Sequence, residues 1–280
     1  MSRLRQIMKG NKARWAGVAI LSLFIICAVL APWIAPHDPW EFGPAFLHPS
    51  TTNLLGTNDV GQDIFSELLY GARISLLVGF AAALISVSLG TMIGLVAGFR
   101  KGIIDDLLMG VTDVFLVMPM LPLAILVSVY LGPSIWNLIL VIGLLWWPST
   151  ARVIRSQVLI IRESGYVESA RALGAGDLWI MRRHVLPNVL PLLMAKFVLT
   201  VAVAMLMEAS LSFLGLGDPI AKSWGIMLRY AFLRGGFVGG MWWWYVPPGL
   251  AIGLCISSLT LISLSVEEKS DPRLKRVLER

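Results

Sequence analysis

Long apolar runs, each bounded by a short polar or charged segment, recur along this chain and leave few folds open to it. Crossing a bilayer as helix takes about 20 mostly apolar residues, because the backbone must satisfy its own hydrogen bonds where no water reaches. Such runs are expected near Trp15–Ile34, Ile74–Phe99, Leu107–Leu131, Ile135–Ala151, Leu190–Phe213 and Val246–Val266, the third broken near Pro119 and Pro122. Of the 280 residues, 57% are hydrophobic and only 14% are charged, with a mean hydropathy of +0.77. Soluble domains carry roughly a quarter of their residues as Asp, Glu, Lys or Arg. So few charges cannot cover a water-exposed surface, and lipid must be the solvent for most of the chain. The expected fold class is therefore all-α: a polytopic membrane protein of about six transmembrane helices.

The charges are placed as topology requires. Arg3, Arg5, Lys9, Lys12 and Arg14 precede the first apolar run. Arg152, Arg155, Arg162, Arg171, Arg182 and Arg183 crowd one central polar stretch, and Arg273, Lys275, Arg276 and Arg280 close the chain. Positive clusters mark the cytoplasmic side. The loop near 35–72 carries Asp38, Glu41, Asp59, Asp63 and Glu67 with no Lys or Arg, and is expected outside. Both termini then lie in the cytoplasm. The first run is too long for a signal peptide and reads as a retained anchor. The net charge of +6 is not a nucleic-acid footprint, since no basic stripe sits on a soluble module. Cys27 and Cys255 lie within apolar runs and support neither a disulfide nor a metal framework. Trp224, Trp242, Trp243 and Trp244 fall in a second outside loop, near 215–245, and suit the headgroup level. One membrane domain, 15–280, follows a basic N-terminus, 1–14.

The central stretch, near 152–188, is the informative one. From Tyr166 to Asn188 it reads as two short helices around a glycine corner, with Tyr166, Val167, Ala170 and Leu173 on one face of the first and Glu168 and Arg171 toward the other. Gly174 and Gly176 release the chain from the first helix. Asp177 can cap the second, and Pro187 precedes the fifth span. The residues alone fit either an amphipathic hairpin on the membrane surface or a docking element for a soluble partner.

Here the sequence resembles the permeases of binding-protein-dependent ABC importers. Glu168-Ser169-Ala170, then Gly174, then Leu186-Pro187 matches that family's E-A-A, three residues, G, nine residues, I-x-L-P loop. Ser169 replaces the middle Ala, and His184 stands at the Ile position. Further segments are similar to its dipeptide, oligopeptide and nickel branch. Leu55-Gly-Thr-Asn-Asp-Val-Gly-Gln-Asp63 resembles LGTDxxGRD, with Asn58 and Gln62 as departures; Gly71–Leu76, Glu208–Gly217, Ser223-Trp-Gly225 and Asp271–Leu274 add to it.

The resemblance implies a coupling-helix hairpin between the fourth and fifth spans, seated in a groove on a cytoplasmic ATPase. Glu168 would pair with a basic group there, Gly174 would permit the corner, and the apolar face with Leu173 would fill the groove. Ser169, Ala170, Leu186 and Pro187 belong to the same loop. It also implies a second homologous permease subunit, two ATPase chains and an extracytoplasmic solute-binding protein, in the inner (cytoplasmic) membrane of the cell. No G-x-x-x-x-G-K-[ST] loop occurs, so ATP and Mg²⁺ would be bound by the partner ATPases and no cofactor by this chain. No metal-ligand spacing or catalytic constellation stands out, although His37, Asp38 and His48 share one loop. The expected role is alternating-access import of di- or oligopeptides; the same branch also serves nickel or metal chelates and oligosaccharides. A gradient-driven transporter is the rival outside the class, without the internal repeat such carriers often show. Asp113 and Glu208 are ionisable residues inside spans, and either line the pathway or make helix-to-helix hydrogen bonds.

Overall fold

The structure is a computed structural model that describes residues 11–270; Arg3, Arg5, Lys9 and the Asp271–Leu274 segment lie outside the described residues. The chain forms α1 (Asn11–Ile34), α2 (Ile64–Arg100), α3 (Ile103–Val117), α4 (Met120–Leu131), α5 (Ile135–Leu145) and α6 (Trp147–Arg162). Then follow α7 (Gly165–Ala172), α8 (Asp177–Ile180), a π-turn (Met181–Val185), α9 (Leu186–Phe213), α10 (Trp224–Leu233) and α11 (Trp242–Ser270). Among the described residues there is no strand, only an isolated bridge between Thr57 and Asp63. Among the described residues, five helical segments are long and apolar enough to cross a bilayer, and a bent pair, α3 with α4, makes a sixth candidate. The all-α polytopic class is therefore the one observed.

Several boundaries move, each for a local reason. The second span begins at Ile64, not Ile74, because Asp63 caps it: the carboxylate accepts from Ser66 N at 2.9 Å and Ser66 Oγ at 2.8 Å. The 37 residues of α2 make a rod about 55 Å long, well beyond the roughly 30 Å of hydrocarbon. The third span is bent by 90° between α3 and α4. Met118, which precedes Pro119, is extended at φ −67° and ψ 136°, as a residue before proline prefers. The fourth span does not stop at Ala151. It breaks at Trp146, where Pro148 cannot continue the hydrogen bonding of α5, and resumes as α6 to Arg162. That extension looks polar, yet Ile154, Val158 and Ile161 form a buried stripe along it.

The bundle is organised around α2. Gly90, Gly94 and Gly98 repeat at every fourth residue and let α6 approach at backbone distance. A Cβ at these positions would stand 2.6 Å from Trp147 O, 2.6 Å from Ala151 O and 2.9 Å from Arg155 O respectively. At the end away from α7, the tryptophans are not the interfacial belt expected. Trp224, Trp243 and Trp244 are buried and only Trp242 is exposed. Trp224 packs on Gly71, which leaves room for its ring, and its Nε1 donates to Leu68 O at 3.0 Å. The backbone carbonyl supplies the polar partner that the headgroup region would otherwise have supplied.

Candidate functional site

The segment from Gly165 to Val185 does form a helical hairpin. Helix α7 ends in a Schellman arrangement, in which Ala175 N donates to Ala170 O and Gly174 N to Arg171 O, both at 3.0 Å. Gly174 carries φ +86°, the left-handed conformation this closure needs. Gly176 is not part of that release: at φ −70° and ψ 152° it is extended and occupies the N-cap of α8, while Asp177 is the first helical residue rather than the cap. Nor is the second arm a separate helix. It passes through the π-turn directly into α9, where Leu186 N reaches back to Met181 O. The wide turn accommodates Pro187 inside the first turn of α9, where no backbone donor is required. Asp177–Phe213 is thus one helical segment of 37 residues.

The apolar face of α7 divides. Val167 is fully buried with Ile180, Val185 and Val189, and Ala170 packs against the same cluster, which continues into Phe99, Ile154 and Val158. Leu173 points away at 89% exposure, joined by exposed Leu178 and Trp179. His184 accounts for its own position: its ring lies 5.8 Å from Tyr166 and 5.2 Å from Trp179. Asn188 Nδ2 donates to His184 O at 2.6 Å and closes the arm. The Ser169 hydroxyl donates to Gly165 O at 2.8 Å within its own helix, so the change from Ala leaves no orphaned donor. Leu186 and Pro187 are exposed, and Glu168 is exposed without a hydrogen-bond or ion-pair partner among the described residues.

The hairpin is fastened to the long helices. The guanidinium groups of Arg162 and Arg171 each lie 5.8 Å from the Phe99 ring in the last turn of α2. Lys101 meets Glu163 at 2.7 Å. That hydrogen bond and charge hold the Glu163 carboxyl below the usual carboxylate range. The tie is accordingly intact at neutral pH and weakens as the pH falls through the carboxylate range. Between α3 and α6, Arg155 grips Asp105 through two 2.6 Å hydrogen bonds, and Arg152 pairs with Asp113.

Glu208 makes helix-to-helix hydrogen bonds. The residue is 1% exposed, accepting from Ser75 Oγ of α2 at 3.1 Å and Ser212 Oγ at 2.7 Å. Ser75 Oγ in turn accepts from Trp224 N at 3.3 Å, which ties α2, α9 and α10 at one point. Asp113, by contrast, is more than half exposed in its pair with Arg152. His37 and His48 do not converge: His37 Nε2 lies 3.0 Å from Thr52 O, and the His48 ring rests 4.5 Å from Trp243.

A second polar cluster, at the end opposite the hairpin, escaped the sequence reading. Lys222 Nζ donates to Glu67 Oε1 at 2.5 Å and to Gln62 Oε1 at 2.6 Å. Asn58 Nδ2 reaches Gln62 Oε1 at 3.1 Å and Glu67 Oε2 at 3.2 Å. The two departures from the LGTDxxGRD pattern are therefore in contact, a neutral pair where the pattern has an acid and a base. Asp59 pairs with Arg234 nearby. One signal was available: the first loop is acidic with no Lys or Arg, while Lys222, Arg229 and Arg234 all fall in the second.

Comparison with known proteins places this architecture. Residues 90–276 match the family described as the binding-protein-dependent transport system inner membrane component, and residues 2–54 match the N-terminal transmembrane domain of oligopeptide transport permease C. A putative peptide transport system permease protein of Brucella suis is 36% identical over 97% of this chain and 91% of its own length. A dipeptide transport system permease protein of Bacillus subtilis is 35% identical, covering 96% and 84%. A di/tripeptide transport system permease protein of Pseudomonas aeruginosa is also 35% identical, covering 95% and 89%. With the family match and the relatives together spanning almost the whole chain, this protein belongs to the binding-protein-dependent transport system inner membrane components.

Proposed function

We propose that this chain is one permease subunit of an ATP-driven, binding-protein-dependent importer that carries dipeptides or oligopeptides by alternating access. The observation that carries the reading is the hairpin: a rigid corner with an unpartnered Glu168 and exposed Leu173, Leu178 and Trp179, at the end of helices it is packed against. An exposed apolar set beside a free carboxylate suits a groove on a soluble protein better than bulk water. The partners would be a second, similar permease, two ATPase subunits that bind ATP and Mg²⁺, and an extracytoplasmic solute-binding protein. The hairpin and both termini would face the cytoplasm of a bacterial cell. Nucleotide-driven closure of the ATPases would move the two hairpins together and open the cavity outward; hydrolysis would reset it. Peptides are favoured as cargo by the Brucella, Bacillus and Pseudomonas relatives, which are named as peptide, dipeptide and di/tripeptide permeases.

The test is co-expression with the candidate ATPases, second permease and binding protein. Leu173→Asp and Glu168→Lys change exposed positions and should leave the permease folded, yet reduce ATPase copurification about tenfold or more, a loss of about 1.4 kcal/mol. Gly174→Val forces a β-branched residue into the left-handed region and should do the same while lowering stability by roughly 1–2 kcal/mol. Full ATPase retention by all three variants would remove the hairpin from the interface. A wild-type chain that retains no ATPase would sink the importer reading itself.

A further inference from the structure

Helices α9, α10 and α11 border an apolar groove of about 420 Å³. Its walls include Leu206, Ser210 and Phe213 of α9, Leu228 of α10, and Gly249 and Ile252 of α11. The residues of α9 stand at i, i+4 and i+7, so the groove follows that helix for about 10 Å. Ser210 is the polar exception, and its hydroxyl is already donated to Leu206 O at 2.8 Å within the same helix. Leu206, Phe213 and Gly249 are exposed, and a Cβ built on Gly249 meets nothing within 4 Å. The groove is thus open on the flank of α9 and α11, both of them long and apolar enough to span a bilayer.

A cation stands at the end of this groove farther from the hairpin. Arg229 follows Leu228 on α10, and its guanidinium lies over Gly215, two residues past Phe213. Gly215 makes the seat: its φ is +92°, and a Cβ there would fall 1.2 Å from Arg229 Nη1. Arg229 is half-buried in this seat and has no hydrogen-bond or ion-pair partner among the described residues. Three acids of that end are engaged elsewhere, Asp59 with Arg234, Glu67 with Lys222, and Asp218 Oδ1 with Ile220 N at 3.0 Å. A guanidinium held in place without an acid suits an outside anion, and its fork of donors matches a phosphate. Joined to the groove beside it, the seat suits an anion that carries a hydrocarbon chain.

We infer that the groove seats an acyl chain of a phospholipid from the leaflet opposite the hairpin, with the lipid phosphate on Arg229. The dimensions agree. The apolar run of α9 ends at Phe213, and a wall of about 10 Å below it fits within the roughly 15 Å of hydrocarbon in one leaflet. Arg229, just past that end, then lies at the headgroup level. A bilayer presents a chain beneath a phosphate along every exposed face of a span, whereas a partner helix would need an acid at one particular turn. A free phosphate would meet the arginine but leave the apolar walls in water. Seated here, the lipid touches all three helices and ties the short α10 to two spans.

The test uses the full chain with the subunits that copurify with it, washed free of lipid in detergent. Phosphatidylglycerol is the probe; diacylglycerol of the same chains lacks the phosphate, and glycerol 3-phosphate lacks the chains. Native mass spectrometry reads the lipid retained, and thermal unfolding reads the stabilisation. Phosphatidylglycerol should raise the melting temperature by several degrees, diacylglycerol should do less, and glycerol 3-phosphate nothing. Arg229→Gln should weaken retention about fivefold. Gly249→Leu, which fills the groove from an open position, should weaken it about tenfold. Ser210→Leu on the facing wall repeats that test if Gly249→Leu does not accumulate. Arg73→Gln, at an exposed arginine of α2, should retain lipid as the wild type does. Equal retention by Arg229→Gln and Arg73→Gln, or by the groove variants and the wild type, would overturn the assignment. Equal stabilisation by glycerol 3-phosphate would make Arg229 a site for free anions and remove the lipid. Loss of the second permease from the Gly249→Leu complex would make the groove a seat for a partner helix and also overturn it.

Discussion

Gly94→Ala and Gly110→Ala should shift the thermal stability of this protein in opposite directions, and Gly94→Leu should prevent a stable fold. Both glycines are in helix interiors, where replacing glycine by alanine gains up to about 1 kcal/mol of helix propensity. Nothing lies within 4 Å of a Cβ built on Gly110, so that variant keeps the gain. At Gly94 the same atom would stand 2.6 Å from Ala151 O and 2.9 Å from Ile154 Cβ. The first of these is backbone and cannot swing aside. Relief requires α6 to move away from α2, which also opens the contacts at Gly90 and Gly98 in the same register. Overpacking of a rigid site costs typically about 1–3 kcal/mol, enough to reverse the propensity gain, and leucine adds further methylenes against the same wall. Measured by thermal unfolding of the detergent-purified protein, Gly110→Ala should melt above wild type. Gly94→Ala should melt several degrees lower, and Gly94→Leu should not accumulate as a monodisperse species. Equal melting temperatures for the two alanine variants would mean that α2 and α6 are not in this close register.

That register decides how movement can pass along the molecule. Helix α6 leads into the hairpin, and α2 runs from the Phe99 clamp at the hairpin to the capped turn at Asp63 at the other end. Two helices in contact at backbone distance have no soft side-chain layer between them to absorb displacement. If the hairpin docks on an ATPase as proposed, a push on α7 would be passed to α2 as a rigid-body motion, and through α2 to the cluster of Glu67 and Lys222.

The parts of this arrangement that were legible in the sequence are those fixed by neighbours in the chain. The apolar runs had to be spans, and Pro119 had to interrupt the third, because both follow from a few adjacent residues. The hairpin corner was readable at Gly174 for the same reason. Helix beginnings were harder. At Asp63 the capping carboxylate outweighs the polarity of Ser66 and Glu67, and the helix starts well before its apolar portion. The stretch after Ala151 looked like a loop because Arg152, Arg155 and Arg162 are charged, although Arg152 and Arg155 are paired with acids of α3, Arg162 lies against the Phe99 ring, and Ile154, Val158 and Ile161 form a buried face, which together make an ordinary amphipathic helix. Which of Val167 and Leu173 faces inward depends on where Phe99 and Val189 lie, and helical spacing alone does not contain that. The tryptophans misled for a related reason: an amphipathic ring suits an interface, but Trp224 finds Leu68 O for its N–H inside the bundle, and Trp243 and Trp244 are buried there although their indole N–H groups have no hydrogen-bond partner among the described residues. The remote polar cluster was the least accessible, since Lys222 and Glu67 are 155 residues apart.

Removing only the cation of that cluster should be among the most damaging single changes in the protein, and removing both charges should restore much of the loss. The side chains of Lys222 and Glu67 are 11% and 4% exposed and meet at 2.5 Å. Lys222→Met leaves the Glu67 carboxylate enclosed, with only the Asn58 amide still directed at it. Breaking a buried pair at one side costs about 3–5 kcal/mol, because the remaining charge has lost its solvation and gained nothing in return. Glu67→Gln is milder, since an amide oxygen at the same place still accepts from Lys222 and Gln62 continues to do so. In Lys222→Met with Glu67→Leu no charge is stranded. Well-packed apolar replacements of buried pairs are often neutral, and Asn58 retains its bond to Gln62. The order of thermal stability should therefore run wild type, double variant, Glu67→Gln, Lys222→Met. With Glu67→Leu also made alone, the loss in the double variant should fall short of the summed losses of Lys222→Met and Glu67→Leu by a coupling of roughly 2–3 kcal/mol. Purely additive losses would show that the two side chains do not interact in the folded protein. Transport separates stability from mechanism. If the cluster is the far anchor of the α2 rod, the stable double variant should still lose coupling between ATP hydrolysis and uptake, because an apolar contact can slide where a charged pair of fixed geometry cannot. Full coupling in that variant would reduce the cluster to a staple between the two loops.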